Sequence, residues 1–80
     1  MATLIFLGRL EDIAGAPERA IALAEPKPLA DVLARLPAEL AEALAAPHIR
    51  LALNGALVGA GGLVLADSDE LAFLPPVSGG

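Results

Sequence analysis

Four apolar positions constrain this chain most. Leu29, Val32, Leu33 and Leu36 fall at i, i+3, i+4 and i+7, the clearest helical stripe in its 80 residues. That spacing gathers all four on one helix face, which must be buried against something. Pro26 and Pro28 break the chain ahead of the stripe. Pro37 interrupts it, because proline cannot donate to the helix ladder. From Ala38 to Ala46 good helix formers resume, with Leu40 and Leu44 one turn apart, until Pro47 ends the segment. The rest of the chain reads mainly as short strands, so the natural cover for the stripe is a sheet.

Thr3 to Leu7 is a bulky apolar run ended by Gly8, and it reads as a strand. Leu4 and Phe6 share one face, Ile5 and Leu7 the other. A strand apolar on both faces is expected to be covered on both. The second cover is either another protein or a loop of the chain itself. Leu10 to Ala14 suggests one helical turn closed by Gly15. Arg19 to Ala24 reads as a second strand, with Ile21 and Leu23 on one face, returning as a hairpin partner. Ile49, Leu51 and Leu53 alternate with Arg50, Ala52 and Asn54, the pattern of a strand with one buried face. Asn54-Gly55 is a tight-turn signal leading into Ala56-Leu57-Val58. Asp67-Ser68-Asp69-Glu70 is a polar turn before a last strand, Leu71 to Leu74, with Leu71 and Phe73 on one face. The order β-β-α-β-β-β predicts an α+β fold of the β-grasp, or ubiquitin-like, kind. It has a mixed sheet, one main helix packed on one face, and the first and last strands side by side in the centre. Residues 1–74 would form the domain and residues 75–80 a flexible tail.

Composition narrows the function. Apolar residues make up 56% of the chain, mostly Ala, Leu and Val, which is a globular composition. A single domain of this size buries only about two-thirds of its unfolded surface, so a partner can contribute to its stability. The net charge is −5, and Arg9, Arg19, Lys27, Arg35 and Arg50 are scattered. Nucleic-acid binding calls for clustered cations and aromatic platforms, which the sequence does not offer. An acidic surface suits a protein partner with basic grooves. The chain has no cysteine, which excludes disulfides, thiolate metal ligands and side-chain persulfides. The most apolar stretch, Leu51 to Ala66, is shorter than the ~20 residues of a membrane-spanning helix and is broken by glycine turns. No secretory signal is visible at Met1-Ala2-Thr3-Leu4. A cytoplasmic, soluble protein is expected.

No internal chemistry emerges. His48 follows Pro47 in a loop with no nucleophile motif near it, and Ser68 and Ser78 lie in a turn and in the tail. Asp67, Asp69 and Glu70 lack the length and glycine of a calcium loop and read first as a solvated turn, second as a charge contact to a basic partner. Gly59-Ala60-Gly61-Gly62 is followed by Leu63-Val64-Leu65, which reads as strand or loop rather than helix, and has no Lys-Ser or Lys-Thr pair, so it reads as an ordinary connection. No metal site and no bound cofactor are expected. The sequence ends in Pro75-Pro76-Val77-Ser78-Gly79-Gly80. Glycines without Cβ make a thin end whose α-carboxylate can be threaded into a narrow site. From Pro75 onward an extended chain reaches on the order of 20 Å. Pro-Pro fixes φ in advance and lowers the entropy lost on insertion.

The ending FLPPVSGG, preceded by the acidic turn DSDELA, resembles the MoaD family, the small sulfur-carrier subunit of molybdopterin synthase. The related thiamine sulfur carriers of the ThiS family share the fold and the Gly-Gly but usually lack the preceding Pro-Pro-Val. The resemblance implies that an adenylating enzyme of the MoeB type uses ATP to activate the Gly80 carboxylate, which then becomes a thiocarboxylate. The large subunit, of the MoaE type, would supply the acid–base groups while sulfur passes to cyclic pyranopterin monophosphate. This chain would be the sulfur donor rather than an enzyme on its own. Gly80 is then the reactive residue and Gly79 gives access, while Pro75, Pro76, Val77 and Ser78 line the path into the partner. Phe73 and the outward face of the first strand, Ile5 or Leu7, are the candidates for the subunit interface. A thiolation carrier for another pathway and a ubiquitin-like modifier are the competing readings.

Overall fold

The computed structural model describes residues 1–76. The chain runs β1 (Ala2–Phe6), α1 (Arg9–Ala14), β2 (Glu18–Ile21), β3 (Lys27–Pro28), α2 (Leu29–Leu33), α3 (Ala38–Ala45), β4 (Arg50–Leu53), β5 (Ala56–Val58), β6 (Val64–Leu65) and β7 (Glu70–Leu74). Five strands form one mixed sheet in the order β2-β1-β7-β4-β5. The first and last strands lie parallel at its centre, with Leu4 opposite Leu71 and Phe6 opposite Phe73. The remaining pairs are antiparallel. This is the β-grasp arrangement the sequence predicts. β1 and β7 are interior strands, as is β4, and each has a hydrogen-bonded neighbour on either edge.

One face of the sheet carries the core. Leu4, Phe6, Ile21, Leu51, Leu71 and Phe73 point into it, and all are buried. The helices supply the other wall through Leu10, Val32, Leu33, Leu36, Leu40 and Leu44. The helical stripe is therefore used as its spacing implies, with a local difference. α2 stops at Leu33, and the main chain then tightens, with the Arg35 N–H donating to the Val32 carbonyl and the Leu36 N–H to the Leu33 carbonyl. Those i→i−3 bonds keep Leu36 turned inward after the α-helix has ended. Pro37, extended at φ −55° and ψ 144°, occupies the N-cap of α3. A residue without an N–H costs nothing there, since the first N–H groups of a helix have no intrahelical acceptor.

Two details depart from expectation. β2 ends at Ile21, three residues sooner than the alternating run, although Leu23 is still buried. β3 and β6 form a separate two-stranded ribbon, Lys27 opposite Leu65 and Pro28 opposite Val64. A two-residue strand has no alternation to read, and Pro28 has no N–H for the ladder.

A polar knot ties the β4–β5 turn to the turn before β7. Asn54 takes a left-handed φ of 49°. Its Nδ2 donates to Asp69 Oδ1 at 3.0 Å, and its Oδ1 accepts from the Glu70 N–H at 2.9 Å. Asp69 Oδ2 accepts from the Ala66 N–H at 2.9 Å. The Ala66 amide, then the Asn54 side chain, hold the Asp69 carboxyl below its ordinary value of 3.8. The acidic turn is thus partly structural rather than simply solvated. No helix among the described residues is long and apolar enough to cross a membrane.

Candidate functional site

The strand register defines the second face of the sheet, the one turned away from the helices. Residues opposite one another on paired strands share a face. Ile5 is opposite Glu18 on one side and Ala72 on the other; Ala72 is opposite Ala52, and Ala52 opposite Leu57. The row Ile5-Ala72-Ala52-Leu57 therefore crosses four strands with no polar side chain until Glu18 at the edge. One row toward the end of β7, Leu74 is opposite Arg50. Ile5, Ala52, Ala72 and Leu74 are partly exposed, and Leu57 is 67% exposed. None of these belongs to the buried core. The described residues leave this apolar stripe uncovered; of the two covers open to the doubly apolar first strand, no loop among them supplies the second.

Of the three side chains expected at a partner interface, two face outward. Ile5 sits in the middle of the open face. Leu7 lies just past β1 and is 41% exposed. Phe73 is corrected: it is fully buried, its ring stacked on that of Phe6 in the core. Side chains alternate along a strand, and Phe73 has the parity of buried Leu71, so its outward neighbours are Ala72 and Leu74. Leu74, Leu57 and Arg50 were not singled out from the sequence as surface candidates. The signal for Leu57 was present, since the Asn54-Gly55 turn pairs Ala56 to Val58 with the preceding strand and sets Leu57 opposite Ala52.

The tail departs from the end of the central strand. The Leu7 N–H donates to the Phe73 carbonyl at 3.2 Å, extending the β1–β7 pairing to that point. Pro75 and Pro76 have no N–H to donate, and the ladder stops. Pro75 is partly buried and Pro76 exposed. Both line an open cleft of ≈ 900 Å³ together with His48, Arg50, Leu57 and Leu74. On the side of β1, Gly8 adopts φ 57° and ψ −138° and backs onto the Pro75 ring. Val77, Ser78, Gly79 and Gly80, the rest of the predicted site, lie outside the described residues. The body of the domain thus presents an exit point beside an apolar sheet face. Among the described residues there is no group of three or more His, Asp or Glu able to hold a metal ion.

A ubiquitin-like β-grasp domain with a Pro-Pro exit from its central strand is the class that fold and site define. The chain belongs to the ThiS family, whose profile matches residues 4–80. Small archaeal modifier protein 1 of Haloferax volcanii is similar in structure, with a TM-score of 0.75 and 26% identity over 99% of this chain and 98% of that one. Similar too is the Helicobacter pylori complex of subunits 1 and 2 of molybdopterin-converting factor, with a TM-score of 0.67 and 28% identity over 99% and 97% of the respective chains. Subunit 1 of a Pyrococcus furiosus molybdopterin converting factor shares the fold, with a TM-score of 0.71 and 22% identity over 95% and 97%. No curated protein sequence matches the chain.

Proposed function

We propose that this protein is the sulfur carrier of a molybdopterin synthase, with the α-carboxylate of Gly80 as its working group. The observation that carries the sulfur-carrier reading is the ThiS family match over residues 4–80, which takes in the Gly-Gly end; the molybdopterin assignment rests on the approach to those glycines. A carboxylate is a poor electrophile. Attack of its oxygen on the α-phosphorus of ATP, with pyrophosphate leaving, gives an acyl-adenylate in an enzyme of the MoeB type. Sulfur at the oxidation level of sulfide then adds to the carbonyl carbon and expels AMP, leaving a thiocarboxylate. With no cysteine in the chain, the sulfur resides on the chain end. The thiocarboxylate donates that sulfur to cyclic pyranopterin monophosphate inside a large subunit of the MoaE type. The chain itself binds no cofactor in this scheme.

The choice of pathway is supported by the Pro-Pro-Val-Ser approach to the glycines and by the Helicobacter pylori neighbour, which is a complex of subunits 1 and 2 of molybdopterin-converting factor. The uncovered stripe of Ile5, Ala72, Ala52 and Leu57, extended by Leu74 and Leu7, is suited to docking both partners while the tail enters their active sites. Intact-mass analysis after incubation with the adenylating enzyme, ATP and a sulfur donor tests the reading. Exchange of one oxygen for sulfur at the C-terminus is expected, and no mass change would sink it. Likeness to a small archaeal modifier protein favours a second reading, attachment of the Gly80 carboxyl to lysines of other proteins. Recovery of lysine-linked adducts from cells in place of the thiocarboxylate would establish that alternative.

A further inference from the structure

Gly8 stands at the junction of β1 and α1, at the point where the tail leaves β7. Two independent facts meet there. Its φ of 57° with ψ of −138° lies in a region that side chains rarely enter. In addition, a Cβ built on Gly8 comes to 2.9 Å from Pro75 Cγ and 3.8 Å from Pro75 Cδ. The contrast with Gly15 is informative. Gly15 has φ 80° as the left-handed cap of α1, but a Cβ there meets nothing within 4 Å. Backbone conformation alone accounts for Gly15. At Gly8 there is also a neighbour that a methyl group would displace.

That neighbour is the first residue of the tail. The Pro75 ring is closed onto its own main-chain nitrogen, so beyond a small change of pucker Cγ cannot move away without moving the backbone. One residue earlier, the Leu7 N–H holds the Phe73 carbonyl. The ladder bond and the bare backbone of Gly8 therefore grip consecutive stretches of chain, the first ending the pairing and the second seating the ring. The direction in which the chain leaves the domain at Pro75-Pro76 is set at this seat.

We propose that Gly8 is a positioning residue for the tail: its missing Cβ seats Pro75 and thereby aims the C-terminus into the partner's active site. This rests on the carrier reading above. Gly8→Ala introduces both strain and the clash. Adding Pro75→Ala removes Cγ and Cδ, so the clash is relieved while the strain at position 8 remains. Gly15→Ala brings strain alone, and Pro75→Ala alone controls for loss of the ring.

The experiment measures ATP-dependent adenylation of the full-length chain by an adenylating enzyme of the MoeB type, with the carrier as varied substrate, beside the thermal unfolding midpoint of each variant. A misaimed tail on an intact docking face lowers kcat and spares KM. For Gly8→Ala a fall in kcat of roughly tenfold to a hundredfold is expected, the scale of a misplacement near 1 Å. In the Pro75→Ala background the Gly8→Ala change should cost no further kcat, while the unfolding midpoint of the double variant stays low. Gly15→Ala should lose stability without losing kcat. A double variant slower than Pro75→Ala by the factor that separates Gly8→Ala from the native chain, or Gly8→Ala at full kcat, would overturn the proposal. If the native chain is not adenylated at all, the carrier reading fails instead. The seat is then judged by the Cα–Hα residual dipolar coupling of Pro76, which Gly8→Ala must change in the native background and leave unchanged in the Pro75→Ala background; an unchanged coupling in Gly8→Ala itself overturns it.

Discussion

Phe6 and Phe73 stack across the central parallel pair, their ring centroids 6.0 Å apart and their planes 20° from parallel. The two residues are direct register partners on β1 and β7. They are the only aromatic side chains in the sequence, and both are buried. The separation suits an offset stack, which adds to the area the rings bury. The pair locks together the strand that opens the domain and the strand from which the tail departs.

Phe73→Ala is therefore expected to cost about 3–5 kcal/mol, the range for emptying a buried aromatic site. That is a large share of the roughly 5–15 kcal/mol typical of a whole domain. Urea denaturation followed by far-ultraviolet circular dichroism measures it. A loss under about 1 kcal/mol would place Phe73 at the surface after all and contradict its burial.

Leu57→Glu is expected to do the opposite. Leu57 is 67% exposed on edge strand β5, so stability should change by no more than about 0.5 kcal/mol. A carboxylate at the β5 end of the apolar stripe must lose its water when a partner covers it. Titration calorimetry against the large subunit should show clearly weakened binding with an unchanged unfolding midpoint. Full affinity would remove Leu57 from the interface.

Acid stability should depend on the knot around Asp69. The folded-state carboxyl titrates below 3.8, chiefly because of the Ala66 N–H and then the Asn54 side chain. Its contribution is present above the unfolded value and is lost as pH falls through the folded one. Denaturant midpoints should thus drop as pH is lowered below 3.8. Asn54→Ala removes one of the two donors and should flatten that drop. A variant with an undiminished acid slope would assign the slope to other carboxylates.

Deleting Gly80 should leave thermal unfolding unchanged, because no described core contact involves the tail. The same deletion should abolish the oxygen-to-sulfur mass change. Sulfur incorporation by the truncated chain would show that the reactive group is elsewhere.

Much of the fold was legible in the sequence. Leu29, Val32, Leu33 and Leu36 marked the helical face, and all but partly buried Leu29 are in the core. The alternation from Ile49 to Asn54, the Asn-Gly turn and the two apolar terminal runs located the principal strands. The two-residue β3 was not legible, because pairing that short leaves no period behind, and β6 fell within Leu63 to Leu65, which reads as strand or loop. Phe73 was misread as a surface candidate for a different reason. Its parity with Leu71 was clear, but which face of β7 meets the helices is decided by packing.

The sequence by itself determined the kind of chain this is: hydrophobic periodicity and turn residues act locally, so the element order and the Pro-Pro-Val-Ser-Gly-Gly ending can be read in place. Only the tertiary structure decided which apolar face is used up and which is left open. Ile5 and Phe6 are equally hydrophobic neighbours, yet one looks out and the other stacks on Phe73. Only the tertiary structure, too, brought Gly8 against Pro75, residues distant in sequence whose contact depends on β1 and β7 lying side by side. Burial and close approach arise between segments, and no single segment carries them.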